Sequence, residues 1–219
     1  MAKIAWLLLL STTLGYPDAW AAGGTSKADE LAPTSLWEQA TESYNKGLEY
    51  RDKAWEYEKK AAAAQKEKER NKNLKKARKE YEKAARQQLQ AIERRPQFHE
   101  ALSSLGYAYR KLGDFESALE AYGRALHLKP NYAEAIEYRA EAYLGLNKVE
   151  EAQQAYELLF VRHPGRASQL LQAMKGWLDE KRKGADPGAE QLVKVENWIK
   201  QKEKVAGEMG GVQETRKEW

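Results

Sequence analysis

The chain of 219 residues has no cysteine, three histidines, six prolines and 15 glycines. Without cysteine neither a disulfide framework nor a lipidated amino-terminal cysteine can form, so packing alone must hold the fold. The same absence removes a thiol nucleophile, and neither a Gly-rich phosphate loop nor a nucleophile elbow is present. His99, His127 and His163 stand 28 and 36 residues apart, without the i, i+4 spacing of metal ligands on a helix. Acidic pairs such as Glu150-Glu151 stand among lysines and read as solvation rather than as a general acid and base. These absences predict a protein that is not an enzyme, with no catalytic residue, no cofactor and no metal. Beyond the first thirty residues there are no alternating runs of Val, Ile or Thr, which excludes buried strands.

Ala, Glu, Lys, Leu and Arg are abundant, and the chain is 42 % hydrophobic and 32 % charged. That balance favours long helices, and an all-α fold is expected. The amino end differs. Lys3 precedes an apolar run, Ile4–Leu14, then Gly15-Tyr16-Pro17-Asp18 and Ala19-Trp20-Ala21-Ala22. These are the three parts of a secretory signal peptide, with small residues for cleavage after Ala21 or Ala22. The run falls short of the roughly 20 apolar residues of a spanning helix. An uncleaved anchor reaching Ala22 is the other reading, and Pro17 and Asp18 argue against it. The expected organisation begins with a signal peptide over 1–21 and a flexible linker over 22–34, which makes the protein exported, periplasmic and not a lipoprotein.

Shifted by 34 positions, the chain matches itself. Glu100, Ala101, Ala108, Tyr109 and Leu112 pair with Glu134, Ala135, Ala142, Tyr143 and Leu146. Glu116, Ala118, Ala121, Tyr122 and Pro130 pair with Glu150, Ala152, Ala155, Tyr156 and Pro164, giving ten identities in 31 positions. Repetition at this period specifies a solenoid. Small residues, Gly106 with Ala118 and Ala140 with Ala152, let two helices approach. Leu102, Leu105, Tyr109, Phe115, Tyr122 and Leu126 fill the space around the first contact. Ile136, Tyr143, Val149, Tyr156 and Phe160 fill it around the second. Leu112-Gly113-Asp114 and Leu146-Asn147-Lys148 supply the turns, and Pro130 and Pro164 end the second helices.

Leu102, Leu105-Gly106, Tyr109, Ala118, Tyr122 and Pro130 resemble the tetratricopeptide repeat, whose pattern is W-x2-L-G-x2-Y…A-x3-F…P. The resemblance covers 99–132 closely and 133–166 well, with Arg139-Ala140 in place of Leu-Gly. It implies a right-handed α-solenoid of about three helix-turn-helix units. A third copy, over 35–98, is split. Tyr81, Ala84, Ala91 and Pro96 fit a second helix, and Tyr44 to Tyr50, with Gly47 for Gly106, fit a first. About 25 extra residues lie between the halves, which predicts an extended helical hairpin with its tip near Lys66–Asn73. After Pro164, the stripes Leu170, Leu171, Met174, Trp177, Leu178 and Leu192, Val195, Trp198, Ile199 predict capping helices within 167–206. Residues 207–219 are expected to form a flexible tail.

The resemblance also implies that the first helices line a concave groove for a peptide or protein partner. By register its residues are Tyr44, Arg51, Glu100, Ser103, Tyr107, Arg110, Lys111, Glu134, Glu137 and Glu141, with Thr41, Leu48 and Leu144 beside them. This groove is basic and aromatic at one end and acidic at the other. It lacks the Lys and Asn arrangement of the carboxylate clamps that hold chaperone C-termini. The hairpin is the other candidate surface: residues 58–83 hold eleven Lys or Arg against five Glu, a net of +6 beside +4 for the whole chain. Its basic residues are Lys66, Lys68, Arg70, Lys72, Lys75, Lys76, Arg78 and Lys79, with acids interleaved and no aromatic residue where the charge is densest. A solvated hairpin is the plainer reading of them. Two functions remain in view: a non-catalytic scaffold of the cell envelope that binds through the groove, or a binder of anionic lipid or wall polymer through the hairpin. Nucleic acid is not expected as a partner.

Overall fold

Eight helices follow one another in the computed structural model, which describes residues 35–184 and 189–215, all within one unit spanning 34–219. The signal peptide and linker expected over 1–34 lie outside the described residues. The first helix, α1 (Leu36–Ala63), opens on a capping box: the Ser35 hydroxyl accepts the Glu38 amide at 3.2 Å and the Glu38 carboxylate accepts the Ser35 amide at 2.7 Å. These bonds satisfy amide donors that a helix start leaves unpaired. After Ala64, Gln65 and Lys66 the chain turns back as α2 (Glu67–Arg94). The tip is thus at 64–66 rather than across Lys66–Asn73. Asn73 is buried against α1 instead of turning the chain, because the glutamates and lysines around it are good helix formers.

In α3 (His99–Leu112) and α4 (Phe115–Leu128) the expected turn is present, with Gly113 in the left-handed region at φ 84°. The Asp114 amide donates to the Tyr109 carbonyl at 3.0 Å, and the Asp114 carboxylate accepts the Ser117 amide at 3.1 Å, so one residue closes one helix and caps the next. Between α5 (Ala133–Gly145) and α6 (Val149–Arg162) Asn147 takes the same role at φ 59°, with the Lys148 amide donating to the Tyr143 carbonyl at 2.9 Å. Pro164 does more than end a repeat. It occupies the first turn of α7 (Pro164–Lys183), where its missing amide costs nothing. The last helix, α8 (Ala189–Thr215), runs on through most of the segment expected as a tail. Gly207, Gly210 and Gly211 each weaken a helix by about 1 kcal/mol relative to Ala, and α8 continues through all three.

Consecutive helices pack as hairpins, and α1, α3, α5 and α7 also touch one another in succession. That makes them the inner row of a helical solenoid. Glycines set the closest approaches. A Cβ on Gly106 would stand 2.7 to 2.9 Å from ring carbons of Tyr122, so the glycine accommodates that ring rather than Ala118. A Cβ on Gly47 would meet the Gln88 amide, and Gln88 precedes Tyr122 by 34 residues just as the repeat requires. The split copy therefore places a glycine of its first helix against the same register position of its second. The larger core runs through the array, from Ala40 and Ala84 past Leu102, Tyr122 and Tyr156 to Leu170, Met174, Val195 and Ile199, and a smaller one, Ala54, Ala77 and Tyr81, lies within the hairpin.

Candidate binding groove

Tyrosines from successive inner helices meet on the groove floor. The Tyr107 hydroxyl accepts a hydrogen bond from the Trp55 indole at 2.7 Å, and its ring lies edge-on to Tyr138 with centroids 5.1 Å apart. Arg110 lies over both phenol rings, 5.0 Å from Tyr107 and 5.4 Å from Tyr138, and donates to Glu141 at 2.5 Å. Burial works against its charge, yet Glu141 and the phenols of Tyr122 and Tyr107 hold the guanidinium above its ordinary pKa. Burial pushes the phenols of Tyr107 and Tyr138 up, so both stay neutral.

Ion pairs stitch each inner helix to the next. Lys111 meets Glu58 at 2.7 Å between α3 and α1, and Arg110 meets Glu141 between α3 and α5. From α7, Arg166 bonds Glu137 at 2.8 Å and approaches Glu134 at 3.8 Å. Burial raises the Glu137 carboxyl and Arg166 opposes it. The expected division into a basic end and an acidic end is therefore corrected: opposite charges face each other across the joints between repeats and neutralise there. Of these groove carboxylates the least closely paired are Glu100, 3.1 Å from His99, and Glu134, which Arg166 reaches only at 3.8 Å; both lie near Tyr44 and Tyr132. Burial is the main cause that raises both phenols, and those two carboxylates add to it. Nearby, His99 lies edge-on to Tyr132 at 5.2 Å and 3.1 Å from Glu100, with burial lowering its imidazole.

Not every expected residue faces the groove. Ser103 is 1 % exposed and Leu144 4 %, both inside the core. It is Ser104 that reaches Tyr44, since one residue turns a helix by about 100°. Glu137 is 3 % exposed and committed to Arg166, so it offers no free carboxylate. Arg51 lies 4.4 Å over the Trp55 ring and bonds Asp52 at 2.9 Å. Trp55, Glu58, Tyr132, Tyr138 and Arg166 were missed. Trp55 and Glu58 continue the spacing Tyr44, Leu48, Arg51 along α1, and extending that spacing would have found them.

At the hairpin tip Lys66, Lys68, Lys72 and Lys76 line a recess of about 440 Å³ with Glu69 and Asn73. Arg78, expected among the free basic residues, instead donates to the Leu112 carbonyl at 3.4 Å and pairs with Glu82 at 3.5 Å. The solenoid thus supports the hairpin as far out as Glu58 and Arg78. Among the described residues no three His, Asp or Glu gather as metal ligands.

Comparison with known proteins adds a family match for one part of the chain. The tetratricopeptide repeat family matches residues 99–132, which hold α3 and α4. Among solved structures, the first such domain of Spaghetti (RPAP3), bound to the HSP90 peptide SRMEEVD, is 21 % identical with a TM-score of 0.43, covering 61 % of this chain and 94 % of that one. The Sgt2 domain from Aspergillus fumigatus is 23 % identical with a TM-score of 0.47, covering 71 % of this chain and 91 % of its own. No curated protein matches significantly. Residues 99–132 thus match the tetratricopeptide repeat, and the described residues around them form an all-α helical solenoid.

Proposed function

We propose that this chain is a non-catalytic adaptor whose groove binds an extended segment of a protein partner. The observation that carries the reading is the aromatic floor, Trp55, Tyr107 and Tyr138, contributed by three successive inner helices and continued by Tyr44 and Tyr132. Aromatic side chains with a polar edge are the residues that binding surfaces favour, because they bury much area with few rotors. The ladder of ion pairs supports a preformed groove, which lowers the ordering cost of binding. Since Glu100 and Glu134 are the least closely paired groove carboxylates, the segment carries a Lys or Arg that reaches them beside Tyr44 and Tyr132. The pattern of the first 22 residues supports an envelope setting for the adaptor.

Peptide display on the full chain tests this. Selected peptides are expected to share a basic residue, and the variant with Glu100→Gln and Glu134→Gln to lose about tenfold in affinity, about 1.4 kcal/mol, with an unchanged melting curve. Selection of acidic peptides, or equal binding by the variant, would overturn the reading. Mass measurement of the mature chain settles the export: a chain beginning after Ala21 or Ala22 supports it, and a retained Met1 counts against it.

A further inference from the structure

One surface has no part in the groove. In α2, Lys68, Lys72, Lys75 and Lys79 follow one another at i, i+4, i+7 and i+11, so they share a helix face about 17 Å long. The face packed on α1 carries Asn73, Ala77, Tyr81 and Ala84, and at 100° per residue the lysine row lies opposite it. Among the described residues none of these four lysines has an ion-pair partner, whereas Arg78 and Lys83 pair with Glu82 and Glu80. Lys76 and Lys83 carry the charge round to α1, where Tyr50 and Tyr57 stand one heptad apart. Lys53 and Lys83 lie over Tyr50 at 5.2 and 5.4 Å, and Lys60 and Lys76 over Tyr57 at 5.5 and 5.2 Å. Two tyrosines of α1 are thus each bracketed by a lysine from either helix, while the row itself lies on the outer side of α2.

We propose that this side of the hairpin docks the protein on a membrane surface rich in anionic lipid headgroups. The row runs along the outer side of α2 as a straight line of charge suited to a plane, and headgroups in a fluid leaflet can move to meet fixed charges. Ammonium groups are point charges without the bidentate geometry that guanidinium imposes, and each lysine near an anionic surface adds about 1 kcal/mol. The row includes no apolar residue, so it lacks the seam that a partner helix would need. Both tyrosine faces already carry lysines, which disfavours stacking on bases. No described helix is long and apolar enough to cross a membrane.

Co-sedimentation of the full chain with phosphatidylglycerol–phosphatidylcholine vesicles and with pure phosphatidylcholine vesicles tests this, at about 0.05 M and about 0.5 M salt, where screening lengths differ severalfold. Binding is expected only to the anionic vesicles at low salt. It should weaken at least tenfold in the variant with Lys68→Glu, Lys72→Glu, Lys75→Glu and Lys79→Glu, and persist when the same four become Arg. Circular dichroism monitors the fold of both variants. Absence of binding, equal binding to neutral vesicles, or retention by the glutamate variant would overturn the proposal. So would displacement from anionic vesicles by an equal charge concentration of polyglutamate or single-stranded DNA, which would assign the row to a polyanionic chain instead.

Discussion

Gly106 has no room for a side chain, and Gly123 has nothing within 4 Å of where one would be. The same substitution at both sites therefore separates packing from helix propensity. Gly106→Ala is expected to lower stability by about 1–3 kcal/mol as the Tyr122 ring is displaced, and Gly123→Ala to raise it by about 0.5–1 kcal/mol; chemical denaturation checks both. His99 gives a pH dependence of definite sign. Burial, then Lys129 and Arg95, lower its pKa below 6.5 while Glu100 opposes them, so the unfolded chain binds the proton more readily. Stability is held above about pH 6.5 and lost as the pH falls through the lower folded value. Melting temperatures measured across that window should slope upward with pH, and His99→Gln should flatten the slope. Individual positions were legible where the backbone itself demanded a residue, as at Gly113 and Asn147. They were not where a register error of one residue exchanges core for surface, as with Ser103 and Ser104.

Between elements, the Arg110–Glu141 pair joins α3 to α5, with the arginine side chain only 14 % exposed. Arg110→Met leaves Glu141 without its partner and is expected to cost about 2–3 kcal/mol, somewhat under the figure for fully buried pairs. Changing Glu141 to Met as well should restore part of that loss, and a double-mutant cycle measures the coupling. The helices themselves could be read from the 34-residue register, from the turn residues and from the apolar stripes. The hairpin tip could not. Residues 58–83 contain neither Pro nor Gly, and Ala61-Ala62-Ala63-Ala64 reads as helix while Asn71 and Asn73 read as turn. Composition alone thus set the reversal several residues late. The ion pairs were equally hidden, because each joins residues about 30 or more apart whose facing depends on how the helices stack.

For the whole molecule, α7 and α8 close the array. Tyr156 of α6 lies edge-on to Trp198 of α8 at 5.2 Å, and Lys202 meets Glu157 at 2.5 Å. A chain ending at His163 would uncover Tyr156, Leu159 and the adjoining core, and a solenoid without its terminal cap exposes a full apolar face. That truncation is expected to self-associate, visible as a concentration-dependent elution volume, while the uncut chain elutes independently of concentration. The period of 34 made this architecture legible, and the glycine contact at Gly47 extends it into the split copy. The three bridges Glu58–Lys111, Arg110–Glu141 and Glu137–Arg166 each span one joint of the array. A pull along its axis would load these three bridges in series, beside the apolar core that crosses the same joints.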